Sequence, residues 1–230
     1  MSYLRHNGAA GMSTGKRPGN EGKKPVGRHK KFDPDAALAA ALDVFRRQGF
    51  EGASLTDLTN AMGIQRPSLY AAFGSKEELF QKALERYRAE CPVFGAAVLA
   101  ETSARGVAER LLHGAADQQT DASNPPGCLI TLGAVLCSDE HSSVRQLLAD
   151  ARQKTQEALQ CRFERALAEG ELPVEADPAS LARYLMAVVH GMAVMAASGA
   201  SRNALRDVAT FALRAWPTTA HSRVALNAET

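Results

Sequence analysis

The chain has 230 residues, 45% hydrophobic and 23% charged, the balance of an ordinary globular protein with enough material for real cores and no sign of general disorder. Its net charge of +2 divides unevenly: residues 1–31 carry eight Lys or Arg against one Glu, a net of +7, which leaves −5 on the rest. Four cysteines (Cys91, Cys128, Cys137, Cys161) lack any C-x-x-C spacing, which argues against a zinc site or a disulfide framework and for a reducing cytoplasm.

Residues 1–31 hold six glycines and almost no large apolar side chains, so they read as a flexible basic arm with nothing to bury. An arm of that sign suits a phosphate backbone, where neutralisation releases counterions. Arg28 is the residue expected in a minor groove, because guanidinium groups favour its negative potential; plain phosphate contact is the alternative. No charged start followed by an apolar core marks a secretory signal.

Asp33 followed by Pro34 predicts a helix start, and Leu38, Leu42 and Phe45 form its inward stripe until Gly49 stops it. A second helix opens at Ser54, with Asp57 completing a capping-box-like pair and Leu55, Leu58 and Met62 facing inward. At that helix start Ser54 and Thr56 can offer hydroxyls to a phosphate that the dipole also attracts; Ser54 can equally serve only as a cap. Gly63 supplies the positive φ of a tight turn and Ile64 turns inward. In the next helix Leu69 and Phe73, four apart, face the interior and leave Gln65, Arg66, Ser68 and Ala72 outside. Arg66 is the side chain able to grip the O6 and N7 of guanine with two hydrogen bonds, while Pro67 costs nothing in a first helical turn and Ala71 and Ala72 keep the surface low. Ser75 and Glu78 form a second capping box that starts a long helix reaching at least Arg88 and interrupted near Cys91 and Pro92. Lys76 in its first turn opposes the helix dipole, and a phosphate would explain it.

Two short helices around a Gly63 turn, the second exposing Arg66, describe a helix-turn-helix DNA-binding unit. The same stretch, through Ser54, Gly63-Ile64, Leu69-Tyr70, Phe73 and Lys76, resembles the signature of the TetR family of bacterial transcriptional regulators, over about 50 residues from Phe32 onward. The resemblance implies that Tyr70 is a phosphate ligand. It also implies an all-α protein: an N-terminal three-helix DNA-binding domain (residues 32–80) and a C-terminal helical ligand-binding and dimerisation domain (81–217), flanked by the arm (1–31) and a tail (218–230).

Beyond residue 92 the resemblance thins, and periodicity predicts helices near 93–102, 104–119, 128–138, 142–169, 178–198 and 202–216 with no half-buried strand. The longest apolar run, 184–200, contains His190 and two glycines and is short for a membrane span, so it reads as a buried helix. The last two helices, with Leu185, Val188, Met192 and Met195, then Leu205, Val208 and Phe211, are too apolar for a wet surface and are the expected homodimer face, with a monomer core as the alternative.

No catalytic constellation is legible. Residues 11–16 lack the gap of a phosphate loop, Glu109 and His113 lack the further carboxylates of a di-iron bundle, and no hydrolase triad can be assembled, so the expectation is a non-enzyme without cofactor or metal. The polar or polarizable residues in apolar surroundings, His113, Cys128, Cys137, Met186 and His190, are the candidates for a small-molecule pocket. Cys128 near a helix start also raises a thiol-based redox or electrophile switch. The reading is a cytoplasmic homodimeric repressor of a double-stranded DNA operator, released by a small-molecule effector, with no membrane partner. A non-specific architectural DNA-binding protein and an all-helical enzyme are the rivals.

Overall fold

The computed structural model describes residues 32–91, 95–135 and 139–218, and among them every regular element is helical. The expected DNA-binding unit, the reading head, is α1 (Pro34–Gly52), α2 (Leu55–Met62) and α3 (Arg66–Phe73), followed by the connecting α4 (Lys76–Glu90). Then come α5 (Ala96–Leu99), α6 (Ala104–Gln119), α7 (Leu129–Val135), α8 (Ser142–Ala168), α9 (Pro178–Ala197) and α10 (Arg202–Arg214).

Three of the first four helices, α1, α2 and α4, begin where a side chain satisfies free amides. Asp33 accepts from the Asp35 amide at 2.9 Å ahead of Pro34, and Ser54 and Ser75 each close a reciprocal capping box with Asp57 and Glu78. Gly49, expected to end α1, does leave helical geometry at φ 69°, ψ −177°, but a further turn runs on to Gly52. That turn is worth forming because it buries Phe50, which packs edge-on against Phe80 at 5.3 Å, as Phe45 does at 5.0 Å.

The expected helix over 93–102 contracts to the single turn α5, with residues 93 and 94 outside the described part. Its cap is Gly95, which has no side chain to accept from the first amides, and one uncapped turn does not propagate. Ser103 then caps α6 by accepting from the Gly106 amide at 3.0 Å. The remaining helices begin and end within one or two residues of expectation, save α7, which is described to Val135; residues 136–138 lie outside.

The core has two halves. One joins α1 to α4 with α7 and the first part of α8, through Phe45, Leu58, Leu69, Leu79, Phe80, Tyr87, Ile130 and Leu148. The other joins α6, the second part of α8, α9 and α10, through Leu112, Phe163, Leu185, Met192, Leu205 and Trp216. The last turns of α4 belong to the first half, so the helix that leaves the reading head also contacts α8.

The expectation that α9 is a buried helix holds on one face only. By length and apolarity α9 could cross a membrane, yet Leu185, Met186, Val189 and Met192 pack against α6, α8 and α10. Its opposite face leaves Tyr184, Val194 (48%) and Met195 exposed, and α10 adds Phe211 at 66%.

Candidate nucleic-acid interface and the adjoining cleft

The interface is built from the second and third helices upward. Ser54 accepts from the Asp57 amide at 3.0 Å while Asp57 takes back the Ser54 amide at 3.2 Å, which fixes the start of α2. Its hydroxyl also donates to Asp57 at 2.6 Å, so a phosphate at this position would compete with the cap's own carboxylate. Gly63 adopts the left-handed region (φ 65°) and its amide returns to the carbonyl of Asn60, reversing the chain within one residue.

In α3, Leu69 is 0% and Phe73 5% exposed, and the opposite face carries Gln65, Arg66, Pro67, Tyr70, Ala71 and Ala72 in the open. Ser68 is half-buried at its edge. Gln65 is the N-cap and makes no side-chain capping bond, which leaves its amide available, and Pro67 lies in the first turn without loss. Arg66 donates to the Thr56 hydroxyl at 3.0 Å, a link across the turn that sequence reasoning missed. This bond holds the guanidinium beside α2 while the residue stays exposed. Tyr70 is 50% exposed on the same face.

Gly74 (φ 80°) makes the corner into α4, where an added Cβ would lie 1.9 Å from the Glu78 carboxylate, so the second capping box requires glycine there. Lys76 does not stand bare at the helix start. Its ammonium lies 4.4 Å from the centre of the Phe50 ring, and burial lowers its pKa against the opposing pull of Glu51 and Glu77. The unfavourable dipole is thus offset in part within the chain. Arg28 and Cys137 lie outside the described residues.

Behind the reading head a cleft of about 580 Å³ opens between α1, α4, α6 and α10. Arg46, Tyr87, Glu90, Cys91, Asp117, Gln118, Asp121, Asn124 and Arg202 line it. Arg46 of α1 donates to Asn124 in the loop after α6 and lies over the Tyr87 ring, 5.1 Å from its centre. The Tyr87 hydroxyl donates to Cys128 Sγ at 3.4 Å and accepts from Gln118 at 3.3 Å; burial pushes this phenol well above its ordinary range, with Cys128 and Cys91 adding to the shift. Arg206 grips Asp117 with bonds of 2.8 to 3.1 Å and ties α10 to α6.

Of the five residues expected to form a pocket, the four that are described, His113, Cys128, Met186 and His190, are not assembled into one. Cys128 is buried and lines a smaller cavity of about 120 Å³ that shares Arg46 and Tyr87 with the cleft. Met186 is core, and His113 is half-buried on α6. His190 is half-buried on α9, its pKa held below the usual histidine range by burial and then by Arg152. Arg46, Asp117, Asn124 and Arg202 carried no local signal, since their partners lie far along the chain.

Comparison with known proteins bears on both halves. The model for bacterial regulatory proteins of the tetR family matches residues 37–83, and that for the tetracyclin repressor-like C-terminal domain matches residues 105–212. The HTH-type transcriptional repressor ComR of Escherichia coli (strain K12) is 34% identical over 201 residues, covering 85% of this chain and 94% of that one. A cysteine mutant of the TetR family transcriptional regulator CifR, solved with 26-bp double-strand operator DNA, is 40% identical, with a TM-score of 0.78 over 83% of this chain and 100% of that one. The reduced form of E. coli NemR, 21% identical with a TM-score of 0.71, shares the fold. The Gly63 turn, the buried Leu69 and Phe73 and the helical body behind them are therefore those of a member of the TetR family of bacterial transcriptional regulators.

Proposed function

We propose that this protein is a homodimeric repressor that binds a two-fold symmetric DNA operator through residues 54–76 and is released from it by a small molecule held in the helices that follow. Residues 32–80 act as the reading head and 81–217 as the sensing and dimerising part, at work in the cytoplasm. The observation that carries DNA reading is the outer face of α3: an exposed run of Gln65, Arg66, Tyr70 and two alanines, anchored from behind by Leu69 and Phe73. Such a face is low enough to enter a major groove and carries one bidentate donor for guanine. Operator-bound CifR and the repressor ComR, both similar over most of their length, favour the same assignment.

Dimerisation through α9 and α10 is supported by the exposed Tyr184, Val194, Met195 and Phe211, which two copies would cover in a four-helix packing. The arm with Arg28, together with Ser54, Thr56, Tyr70 and Lys76, supplies backbone contacts. Selection of bound fragments from a random DNA pool tests the reading: a short palindrome-like site should emerge, and a pool that stays random would point to an architectural DNA-binding protein.

A second reading on the same scaffold is a thiol switch at Cys128, favoured by the Tyr87 hydroxyl bonded to its sulfur and by the small cavity beside it. Oxidants that release operator from wild type should then fail on Cys128→Ser; release that survives the substitution removes this reading.

A further inference from the structure

The cleft between α1, α4, α6 and α10 has a charge pattern that narrows what can enter it. Three carboxylates stand in its wall, and each is already held. Glu90 pairs with Arg86 at 2.7 Å, and Asp117 takes the Arg206 fork and Arg202 at 3.6 Å. Asp121 accepts from the amide and hydroxyl of Ser123 at 2.8 and 2.7 Å, bonds that lower its pKa. Of the two guanidinium groups, Arg202 shares Asp117 and the Thr120 hydroxyl. Arg46 differs: among the described residues it makes no ion pair, its direct contacts are an amide oxygen and an aromatic ring, and the carboxylate of Asp121 acts on it only at longer range. A half-buried cation that faces a roomy cleft and has no carboxylate in direct contact gains most from an incoming anion.

We infer that the cleft is the effector site, that its ligand is a small organic carboxylate, and that Arg46 is the group that receives the carboxylate. The rest of the ligand would lie along Cys91 at the end of α4 and along Gly114, where α6 offers no side chain. The inference rests on the ligand-responsive reading above, seats the ligand between α1 and the helices that follow rather than within those helices alone, and adds the ligand's charge. It also supplies a route to the reading head. Arg46 belongs to α1, and its bond to Asn124 fastens α1 to the loop after α6. A carboxylate that takes the guanidinium competes with that fastening, so ligand binding and the α1 position become linked, and release of DNA follows from the difference in ligand affinity between the two positions.

Asp121 gives the inference a sign. Its carboxylate feels both Arg46 and Arg202, so it competes with a ligand anion for the same cations. The test uses the full chain and three size-matched sets: benzoate, salicylate and phenylacetate; their neutral amides; and benzylamine with phenethylamine. Calorimetric binding and release of a fluorescent operator are read for each. Carboxylates should bind and release while amides and amines do not. Arg46→Gln should weaken carboxylate binding at least tenfold, Arg46→Lys should retain part of it, and Asp121→Asn should tighten it several-fold. Melting curves confirm that each variant is folded. Amides or amines that act as well as the acids, or carboxylate binding indifferent to Arg46→Gln, would overturn the inference while leaving a ligand-responsive regulator intact. Binding and release by none of the three sets would count against both.

Discussion

Leu69→Ala separates the two jobs of α3, packing and reading. Leu69 is fully buried, in the cluster that holds α1 to α4 together, and its loss removes three carbons from a site enclosed by neighbouring helices. Truncations of this kind cost about 2 to 5 kcal/mol, a large part of the roughly 5 to 15 kcal/mol that holds a domain folded. For a chain of this size each kcal/mol moves the melting temperature by about 2 to 4 °C, so a fall of roughly 4 to 20 °C is expected. Melting should be followed by circular dichroism at fixed protein concentration, since the stability of the proposed dimer would depend on it. Operator binding should fail with it, because the helix that presents Arg66 and Tyr70 is anchored by Leu69 and Phe73. A Leu69→Ala protein that melts like wild type, or that melts early yet binds operator at full strength below its transition, would refute the anchoring of the reading face.

Lys76→Ala should weaken binding to operator and random DNA alike and lower the slope of log affinity against log salt by about one. Neutralising any phosphate-binding Lys or Arg within residues 1–31 should do the same, and titration at several salt concentrations reads both effects. Phe211→Glu would place an unpaired charge in the expected dimer face, and sedimentation should then show monomers with operator affinity reduced at least tenfold. His190 contributes a pH dependence. Its folded pKa is depressed, chiefly by burial, so its contribution to stability is present above the unfolded value of 6.5 and is lost as pH falls through the folded value. Between pH 7 and pH 5 the wild-type melting temperature should therefore fall further than that of a His190→Gln variant; equal falls would contradict this.

What the sequence showed well was local. The Asp33-Pro34 start, the capping boxes at Ser54 with Asp57 and Ser75 with Glu78, and the Gly63 turn involve partners within three residues, and their geometry is as the spacing predicts. The inward pairing of Leu69 with Phe73 follows from helical periodicity alone. The cleft was not legible, because its ties join distant positions: Arg46 to Asn124 across 78 residues, Arg206 to Asp117 across 89. His141 to Glu51, which clasps the start of α8 to the end of α1, spans 90. Nor could composition tell that α9 packs one apolar face and exposes the other, since both are built from the same residue types. Lys76 marks the limit of dipole reasoning: its neighbour Phe50 is brought to it by the extra turn after Gly49, which no spacing rule foretold.

The most direct measurement is the affinity of Arg66→Ala for the selected operator and for random DNA of equal length and salt. Arg66 is exposed and, among the described residues, is tied only to the Thr56 hydroxyl, so the variant should fold and melt as wild type does. Loss of about 1 to 3 kcal/mol, roughly 5- to 150-fold, on operator, with a far smaller loss on random DNA and relaxed preference at one guanine per half-site, is the predicted result. Equal losses on both DNAs, or no loss on either, would contradict a reading head that recognises sequence through the tip of α3.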